Sequence, residues 1–96
     1  MTCYVIAQLK FRDKARYERY HSRFMDVFKE SDGLLLAADE HPIVLEGDWD
    51  RDKIVIMCFP SERSARGFLD SPAYREIARD RIAGADAIAV LVRGLG

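Results

Sequence analysis

Apolar and polar residues alternate along the first segment of the chain, from Cys3 to Phe11. The odd-numbered positions of this segment are all apolar, whereas the even-numbered positions mix apolar and polar side chains. A period of two residues predicts a β-strand with one fully apolar face. Similar patterns predict strands at Leu34 to Ala38, Ile54 to Phe59 and Ala87 to Val92, the last two apolar on both faces. A further extended run resumes at Ile43, after the interruption at His41-Pro42.

Helical periodicity appears between these strands. After Asp13, a plausible N-cap, the apolar spacing predicts an amphipathic helix whose stripe comprises Tyr17, Tyr20, Phe24, Val27 and Phe28. Gly33 is predicted to close this helix in a left-handed conformation. A second helical region follows a cap at Ser61, restarts at Ser71-Pro72 and stops near Gly84.

The predicted order is β, α, β, β, α, β, the split βαβ arrangement of the ferredoxin-like fold. We therefore expect one α+β domain over residues 1–96, with an antiparallel sheet and its helices on one face. In this topology the first and third strands are central, and the second and fourth lie at the edges.

Two helical regions cover only one face of such a sheet, which leaves the other face exposed. The edge strand from Ala87 to Val92 carries no polar side chain, and natural proteins avoid exposing a long apolar edge. We therefore predict a homodimer in which a second copy covers this surface. The alternative is a monomer whose Ile43-to-Trp49 segment and C-terminal tail fold over the open face.

Three short motifs resemble those of a known family. They are Leu45-Glu46-Gly47-Asp48-Trp49, Phe59-Pro60-Ser61 and Ser71-Pro72-Ala73-Tyr74. Together they make the chain similar, over almost its whole length, to domain-of-unknown-function family 1330. That family belongs to the dimeric α/β-barrel group of ferredoxin-like proteins, so the resemblance implies the same fold and a dimer. It implies no established activity.

Composition and charge exclude several classes of function. The chain has 15 basic and 16 acidic residues and a formal net charge of -1, so it lacks the basic excess typical of nucleic-acid binding. No apolar stretch is long enough for a membrane span and the N-terminus is unlike a signal peptide, which predicts a cytoplasmic protein. Cys3 and Cys58 have no ligand spacing to either histidine, so no metal site is expected.

Known cofactor and catalytic motifs are also missing from the chain. It contains no GxGxxG after a strand, no Walker-type loop, no HExxH motif and no GxSxG elbow. The sequence therefore supports neither nucleotide-dependent chemistry nor serine hydrolysis, and any activity is expected to need no cofactor.

Two residues are candidates for proton transfer. Glu46 lies near Trp49, and burial beside an aromatic ring raises the pKa of a carboxyl group. The structural alternative is that Trp49 packs at the dimer surface while Glu46 binds backbone amides or an arginine. His21 borders the apolar stripe of the first helix, and histidine is the side chain that titrates nearest neutral pH. Its alternative is a half-exposed packing residue.

Four residues are candidates for substrate binding. Arg81 is placed to hold an anionic group by a bidentate contact, unless it pairs with Glu46 or an aspartate. Tyr17 and Tyr74 offer hydroxyl groups in an otherwise apolar wall, although both are also suited to the core. Trp49 completes the set as an aromatic contact.

These candidates support two hypotheses for function. The first is a small cofactor-independent isomerase or monooxygenase that acts on a small metabolite by acid-base chemistry. Glu46 or His21 would move the proton, and Arg81 and Tyr17 would orient an anionic or enolic oxygen. The second is a dimeric module that binds a ligand or partner without turnover. Convergence of Glu46, His21 and Arg81 on one cavity would favour the enzyme.

Overall fold

The seven helices and strands follow one another in the predicted order. The computed structural model describes all 96 residues. Its elements are β1 (Cys3–Phe11), α1 (Lys14–Phe28), β2 (Leu34–Asp39), β3 (Lys53–Phe59), α2 (Glu62–Leu69), α3 (Pro72–Gly84) and β4 (Ala85–Arg93). The second helical region is divided into α2 and α3 at Ser71-Pro72, where the sequence predicts a restart.

Each helix begins at a side chain that satisfies a free backbone amide. The side chain of Asp13 accepts a hydrogen bond from the amide of Arg16, that of Ser61 from Ser64, and that of Ser71 from Tyr74. Such caps stabilise a helix by about 1 kcal/mol, because the first amides of a helix have no intrahelical partner. The three predicted N-caps are confirmed.

The four strands form one antiparallel sheet in the order β2-β3-β1-β4. This order confirms the ferredoxin-like α+β fold, with the first and third strands in the centre. Three helices cover one face of the sheet. The alternation in β1 is also confirmed, since Cys3, Val5 and Leu9 are buried on the helix-facing side.

Aromatic rings fill one end of the space between the sheet and the helices. Phe28 of α1 packs edge-on against Phe68 of α2, with ring centroids 5.2 Å apart, and against Phe59 of β3 at 5.9 Å. Phe24 stacks on Phe28 at 5.0 Å. Rings of this size bury large apolar areas, so this cluster contributes strongly to the stability of the core.

The prediction for Gly33 is wrong, because only Gly47 has a positive φ, of 84°. Glycine is needed at position 33 for a different reason. A Cβ atom there would lie 2.6 Å from Cε1 of Phe59 and 2.9 Å from Cζ of Phe28. The residue therefore lets the chain pass close to the aromatic cluster.

Gly84 ends α3, as predicted, and it also joins α3 to the start of α1. Its carbonyl accepts hydrogen bonds from the amides of Arg12 at 2.8 Å and Asp13 at 3.0 Å. A Cβ atom on Gly84 would lie 2.6 Å from the backbone nitrogen of Tyr17. The end of α3 and the first turns of α1 are thus held in direct backbone contact.

The expected extended run at Ile43 is wrong, since residues 40–52 form no strand. Leu45 is 94% exposed and Ile43 is 87% exposed, so this segment does not cover the open face of the sheet. The tail does not cover it either, because Leu95 is fully exposed. The open face remains apolar and half-exposed at Ile88, Val90 and Val92.

Candidate functional site

A cavity of about 350 Å³ lies between the sheet and the helices. Its floor is built from the helix-facing residues of the strands, among them Ala7 of β1 and Ala87 and Ala89 of β4. These side chains are too short to reach the helices, which leaves the space unfilled. The volume is at the lower end of the range for small-molecule sites, and the wall is mainly apolar as such sites usually are.

A bulge in β2 shapes one side of this cavity. The pairing of β2 with β3 shifts between Leu35 and Ala37, so Leu36 is the extra residue. A bulge reverses the alternation of the strand beyond it. As a result Leu35 and Ala38, three residues apart, both line the cavity.

Six polar or amphipathic side chains line the wall, and they come from three elements: Tyr17, Tyr20 and His21 of α1, Lys53 of β3, and Tyr74 and Arg81 of α3. Helical spacing places the residues of α1 on one face of that helix, because positions three and four apart are neighbours. No aspartate or glutamate is part of the wall.

Lys53 and His21 form the closest polar contact at this wall. Nζ of Lys53 lies 3.4 Å from Nδ1 of His21 and 5.0 Å from the centroid of the Tyr17 ring. Lys53 is 3% exposed and forms no ion pair. Burial lowers the pKa of the Lys53 ammonium group, because water no longer solvates its charge; the more distant carboxylates of Glu40 and Glu18 act in the opposite direction.

Tyr20 and Tyr74 share a hydrogen bond across the cavity, with their hydroxyl oxygens 3.1 Å apart. Both residues are 7% exposed. Burial raises the pKa of Tyr20, and the neighbouring Tyr74 raises it further. Burial likewise raises the pKa of Tyr17, which is 2% exposed. The hydroxyl groups of Tyr17 and Tyr20 therefore stay protonated over the physiological pH range and act as neutral hydrogen-bonding groups.

Arg81 carries an unpaired donor. Its Nε atom is buried and has no hydrogen-bond partner. It is the only buried side-chain nitrogen or oxygen atom of the chain that lacks a partner. A buried donor without a partner costs about 1–3 kcal/mol. The positive charge of the Arg81 guanidinium group stabilises the ionised form of Tyr17. It therefore opposes the rise in the pKa of Tyr17 that burial causes.

Four of the six predicted site residues come together in this cavity: His21, Tyr17, Tyr74 and Arg81. Glu46 and Trp49 do not line it. Glu46 is exposed and Trp49 half-buried, both in the irregular segment 40–52. Neither Arg81 nor Glu46 forms an ion pair, so the alternative in which they pair is not what the structure shows.

Two residues of the wall, Lys53 and Tyr20, were not predicted as site residues. The predicted strand begins at Ile54, but Lys53 is the first residue of β3. Its spacing of two from Val55 places it on the helix-facing side, a signal that was available in the sequence. Tyr20 was recognised as part of the apolar stripe, and only its contact with Tyr74 identifies it as a wall residue.

The chain shows neither a metal-binding cluster nor a membrane-spanning helix. No three histidine, cysteine, aspartate or glutamate side chains come together in an arrangement that could hold a metal ion. None of the helices combines the length and the apolar character that crossing a bilayer requires.

The chain is similar to known proteins in sequence and in fold. The family described as "Domain of unknown function (DUF1330)" matches residues 2–95. A sequence comparison with curated proteins gives no match.

Among solved structures, a protein of unknown function from Rhodopseudomonas palustris has a TM-score of 0.82 and 19% identity, covering 99% of this chain and 83% of that one. SnoaB from Streptomyces nogalater, a cofactor-independent oxygenase, has a TM-score of 0.71 and 16% identity over 99% and 94% of the two chains. A dimeric ferredoxin-like protein of unknown function from Thermobifida fusca has a TM-score of 0.70 and 16% identity over 98% and 92%. At these identities the likeness shows a shared fold.

Proposed function

We propose that this chain, which belongs to the DUF1330 family, binds a small, mainly apolar metabolite in the helix-facing cavity and converts it by proton transfer without a cofactor. The observation that carries this proposal is the convergence of His21, Arg81 and Tyr17 on one cavity of about 350 Å³. Sequence separations of 60 residues or more divide Arg81 from the other two, so only the fold brings them together.

His21 is the proposed general base. It lies at the exposed rim of the cavity, where it can exchange its proton with water, and its Nδ1 faces Nζ of Lys53 at 3.4 Å. A neutral imidazole removes a proton from an acidic C–H or O–H group of the bound molecule. The proton is returned to another atom in an isomerisation.

Arg81 and Tyr17 are the proposed partners of the oxygen on which negative charge develops. Arg81 lines the cavity and carries a buried Nε–H donor without a partner, and its guanidinium charge would stabilise an oxygen on which negative charge develops. The Tyr17 hydroxyl, kept protonated by burial, is a neutral donor beside it. An enolate or phenolate formed in this way is the species common to isomerisation and to direct reaction with dioxygen.

SnoaB supports the oxygenase form of this proposal through its fold alone, since the identity is 16%. Oxygenation without a cofactor requires a substrate that is itself the reductant, such as an electron-rich phenolate. A conjugated aromatic substrate therefore fits the oxygenase form, and a ketone with an acidic α-hydrogen fits the isomerase form.

We also propose that two copies of the chain pair through the open faces of their sheets. Exposed apolar side chains occupy this face, and neither residues 43–49 nor the C-terminal tail covers them. The T. fusca protein of the same fold is dimeric, which supports this assembly. A stable pair buries about 800 Å² on each partner, an area that a four-stranded sheet face can supply.

Hydrogen exchange tests the proton-transfer step directly. The chain is incubated in D₂O with a panel of phenols and 1,3-diketones, and deuterium incorporation and oxygen consumption are followed by NMR and an oxygen electrode. We expect turnover with at least one compound, and a loss of about 10²-fold or more in His21→Ala. His41→Ala, a histidine in an exposed loop position, is the matched control.

Two outcomes would overturn the enzyme proposal. Full activity of His21→Ala together with loss in Glu46→Gln would assign the proton transfer to Glu46 and the site to another surface. Saturable binding across the panel without exchange or oxygen uptake would establish the alternative, a dimeric ligand-binding module without turnover.

A further inference from the structure

The side chains that line the cavity are charged and polar at one end and apolar at the other. Strand pairing places its floor in three rows across β3, β1 and β4. These rows are Lys53–Leu9–Ala87, then Val55–Ala7–Ala89, then Met57–Val5, where Leu91 of β4 continues the third row outside the cavity lining. The first row contains a charged residue, and the other two are entirely apolar. We call the end at the first row the basic end of the cavity and the end at the third row the apolar end.

The helices repeat this gradient in the roof. Tyr17 and His21 of α1 lie over the first row, because both are in contact with Lys53. One turn further along α1, Phe24 stacks on Phe28, which packs against Phe59 beyond the third row. The rings of α1 therefore follow the same direction as the floor, from the basic end to the apolar end.

Arg81 also belongs to the basic end. It lies one turn before Gly84, whose carbonyl is bound by the amides of Arg12 and Asp13 at the start of α1. This contact fixes the last turn of α3 beside the first turns of α1, on the side where Tyr17 lies. Lys53 and Arg81 thus approach Tyr17 from the sheet and from α3, respectively.

The basic end holds two cationic side chains and no carboxylate in its wall; the carboxylates of Glu40 and Glu18, which act on Lys53, lie outside the wall. The wall contains no aspartate or glutamate, neither cation forms an ion pair, and the Nε atom of Arg81 lacks any partner. Burying unpaired charge is costly, and removal of water from an ammonium group makes the interaction with an added anion stronger. A negatively charged group placed at this end would be stabilised by the positive charges of both residues.

We propose that the ligand of this cavity is an amphipathic anion, with a carboxylate at the basic end between Lys53 and Arg81 and an aromatic or aliphatic body extending toward Phe24 and Met57. This inference rests on the proposed function, since it concerns the same cavity, and it names the substrate class. Lys53 acts in it as a specificity-determining residue. Burial lowers the pKa of Lys53, and an adjacent carboxylate would restore the charged form.

A pair of ligands that differ only in charge tests this inference. Binding of 3-phenylpropanoate and of its neutral isostere 3-phenylpropanamide is measured by calorimetry with the full chain at pH 7. The carboxylate is expected to bind at least about tenfold more tightly than the amide, because only the carboxylate pairs with the buried ammonium group of Lys53 and the half-buried guanidinium group of Arg81. Equal affinities, or tighter binding of the amide, would overturn the inference.

Two substitutions assign the preference to individual residues. Lys53→Met and Arg81→Met each replace the charged group by an unbranched apolar side chain and are expected to lower the carboxylate affinity by about tenfold, while the affinity for the amide changes by less than about twofold. Lys29→Met and Arg79→Met are matched controls, since their side chains are 63% and 77% exposed and lie outside the cavity. Unchanged carboxylate affinity in both Lys53→Met and Arg81→Met would contradict the assignment.

The failure of this inference is distinguishable from that of the proposed function. Preference for the carboxylate without turnover of any compound would leave the anion site in place and remove the catalytic role of His21. Turnover of neutral compounds with no preference for anions would support the proposed proton transfer and remove the anion site. Absence of binding by both phenyl compounds would contradict the anion-binding cavity itself.

Discussion

Nζ of Lys53 lies 3.4 Å from Nδ1 of His21, and no carboxylate forms an ion pair with this lysine. The contact joins the first residue of β3 to the middle of α1, at the basic end of the cavity. Burial of this ammonium group favours the uncharged form of the lysine, and the carboxylates of Glu40 and Glu18 oppose that effect. The consequence is measurable as a dependence of stability on pH.

Lys53→Met is expected to change how the free energy of unfolding varies with pH in the range just below the ordinary lysine pKa of about 10.4. Burial lowers the pKa of Lys53 in the folded chain, whereas in the unfolded chain it is about 10.4. Between those two values the unfolded state binds more protons, so the stability of the wild type rises with pH. Lys53→Met lacks this rise, which amounts to about 1.4 kcal/mol per unit by which the pKa is lowered.

Urea unfolding at several pH values and one protein concentration measures this effect. The difference in stability between Lys53→Met and the wild type should shift in favour of the wild type as the pH increases. Lys29→Met is the control, because its side chain is 63% exposed and lies outside the cavity. A constant difference across the range would contradict burial of the Lys53 charge.

Gly84→Ala is expected to destabilise the chain by about 1–3 kcal/mol. The added methyl group would lie 2.6 Å from the backbone nitrogen of Tyr17 and 2.8 Å from the carbonyl oxygen of Asp13, and backbone atoms cannot move aside cheaply. Gly67→Ala is the matched control in the exposed interior of α2, where an added methyl group meets nothing within 4 Å. It should stabilise by about 0.5–1 kcal/mol through helix propensity. Equal effects of the two substitutions in thermal unfolding would contradict the close packing of α3 on α1.

Tyr20→Phe and Tyr74→Phe are each expected to cost about 1 kcal/mol of stability, because either change leaves the other buried hydroxyl without its partner at 3.1 Å. The double variant should be less destabilised than the sum of the single variants, by about 0.5–1.5 kcal/mol. Denaturant unfolding of the four proteins gives this coupling energy. Strict additivity would show that the two hydroxyl groups do not interact.

Burial of the Tyr20 hydroxyl group predicts a loss of stability at alkaline pH. Burial raises the pKa of Tyr20 above its unfolded value of about 10, so its contribution is fully present below pH 10 and is lost as the pH rises beyond it. Tyr20→Phe should therefore lose less stability than the wild type between about pH 10 and pH 11. Parallel curves for the two proteins, measured by circular dichroism in urea, would be inconsistent with burial of this hydroxyl.

Val90→Lys is expected to dissociate the proposed dimer. Val90 pairs with Ile6 in the middle of the open face and is 50% exposed in the single chain, so a lysine there would place charge inside the interface. Ile82→Lys is the control, since Ile82 is a 59% exposed apolar residue of α3. Sedimentation at micromolar concentration should give twice the chain mass of 11.0 kDa for the wild type and Ile82→Lys, and the single mass for Val90→Lys. A wild type that sediments only as a single chain would refute the dimer.

The sequence by itself determined the elements and their faces. Alternation in β1, the continuous apolar run of β3, the helical stripe from Tyr17 to Phe28, and the caps at Asp13, Ser61 and Ser71 all act over a few residues through backbone geometry and hydrogen bonding. These local signals give the order of the elements, and the strand order of the sheet followed correctly from that order.

Tertiary structure alone decided the cavity and its chemistry. A cavity is a space left between elements, and it depends on short side chains such as Ala7 and Ala89 lying in one row across two paired strands. The contact of Lys53 with His21 and the close approach of Gly84 to Tyr17 join residues that are far apart in the chain. Sequence periodicity reports which face a residue occupies, whereas the distance between two faces is set only when the helices and the sheet pack together.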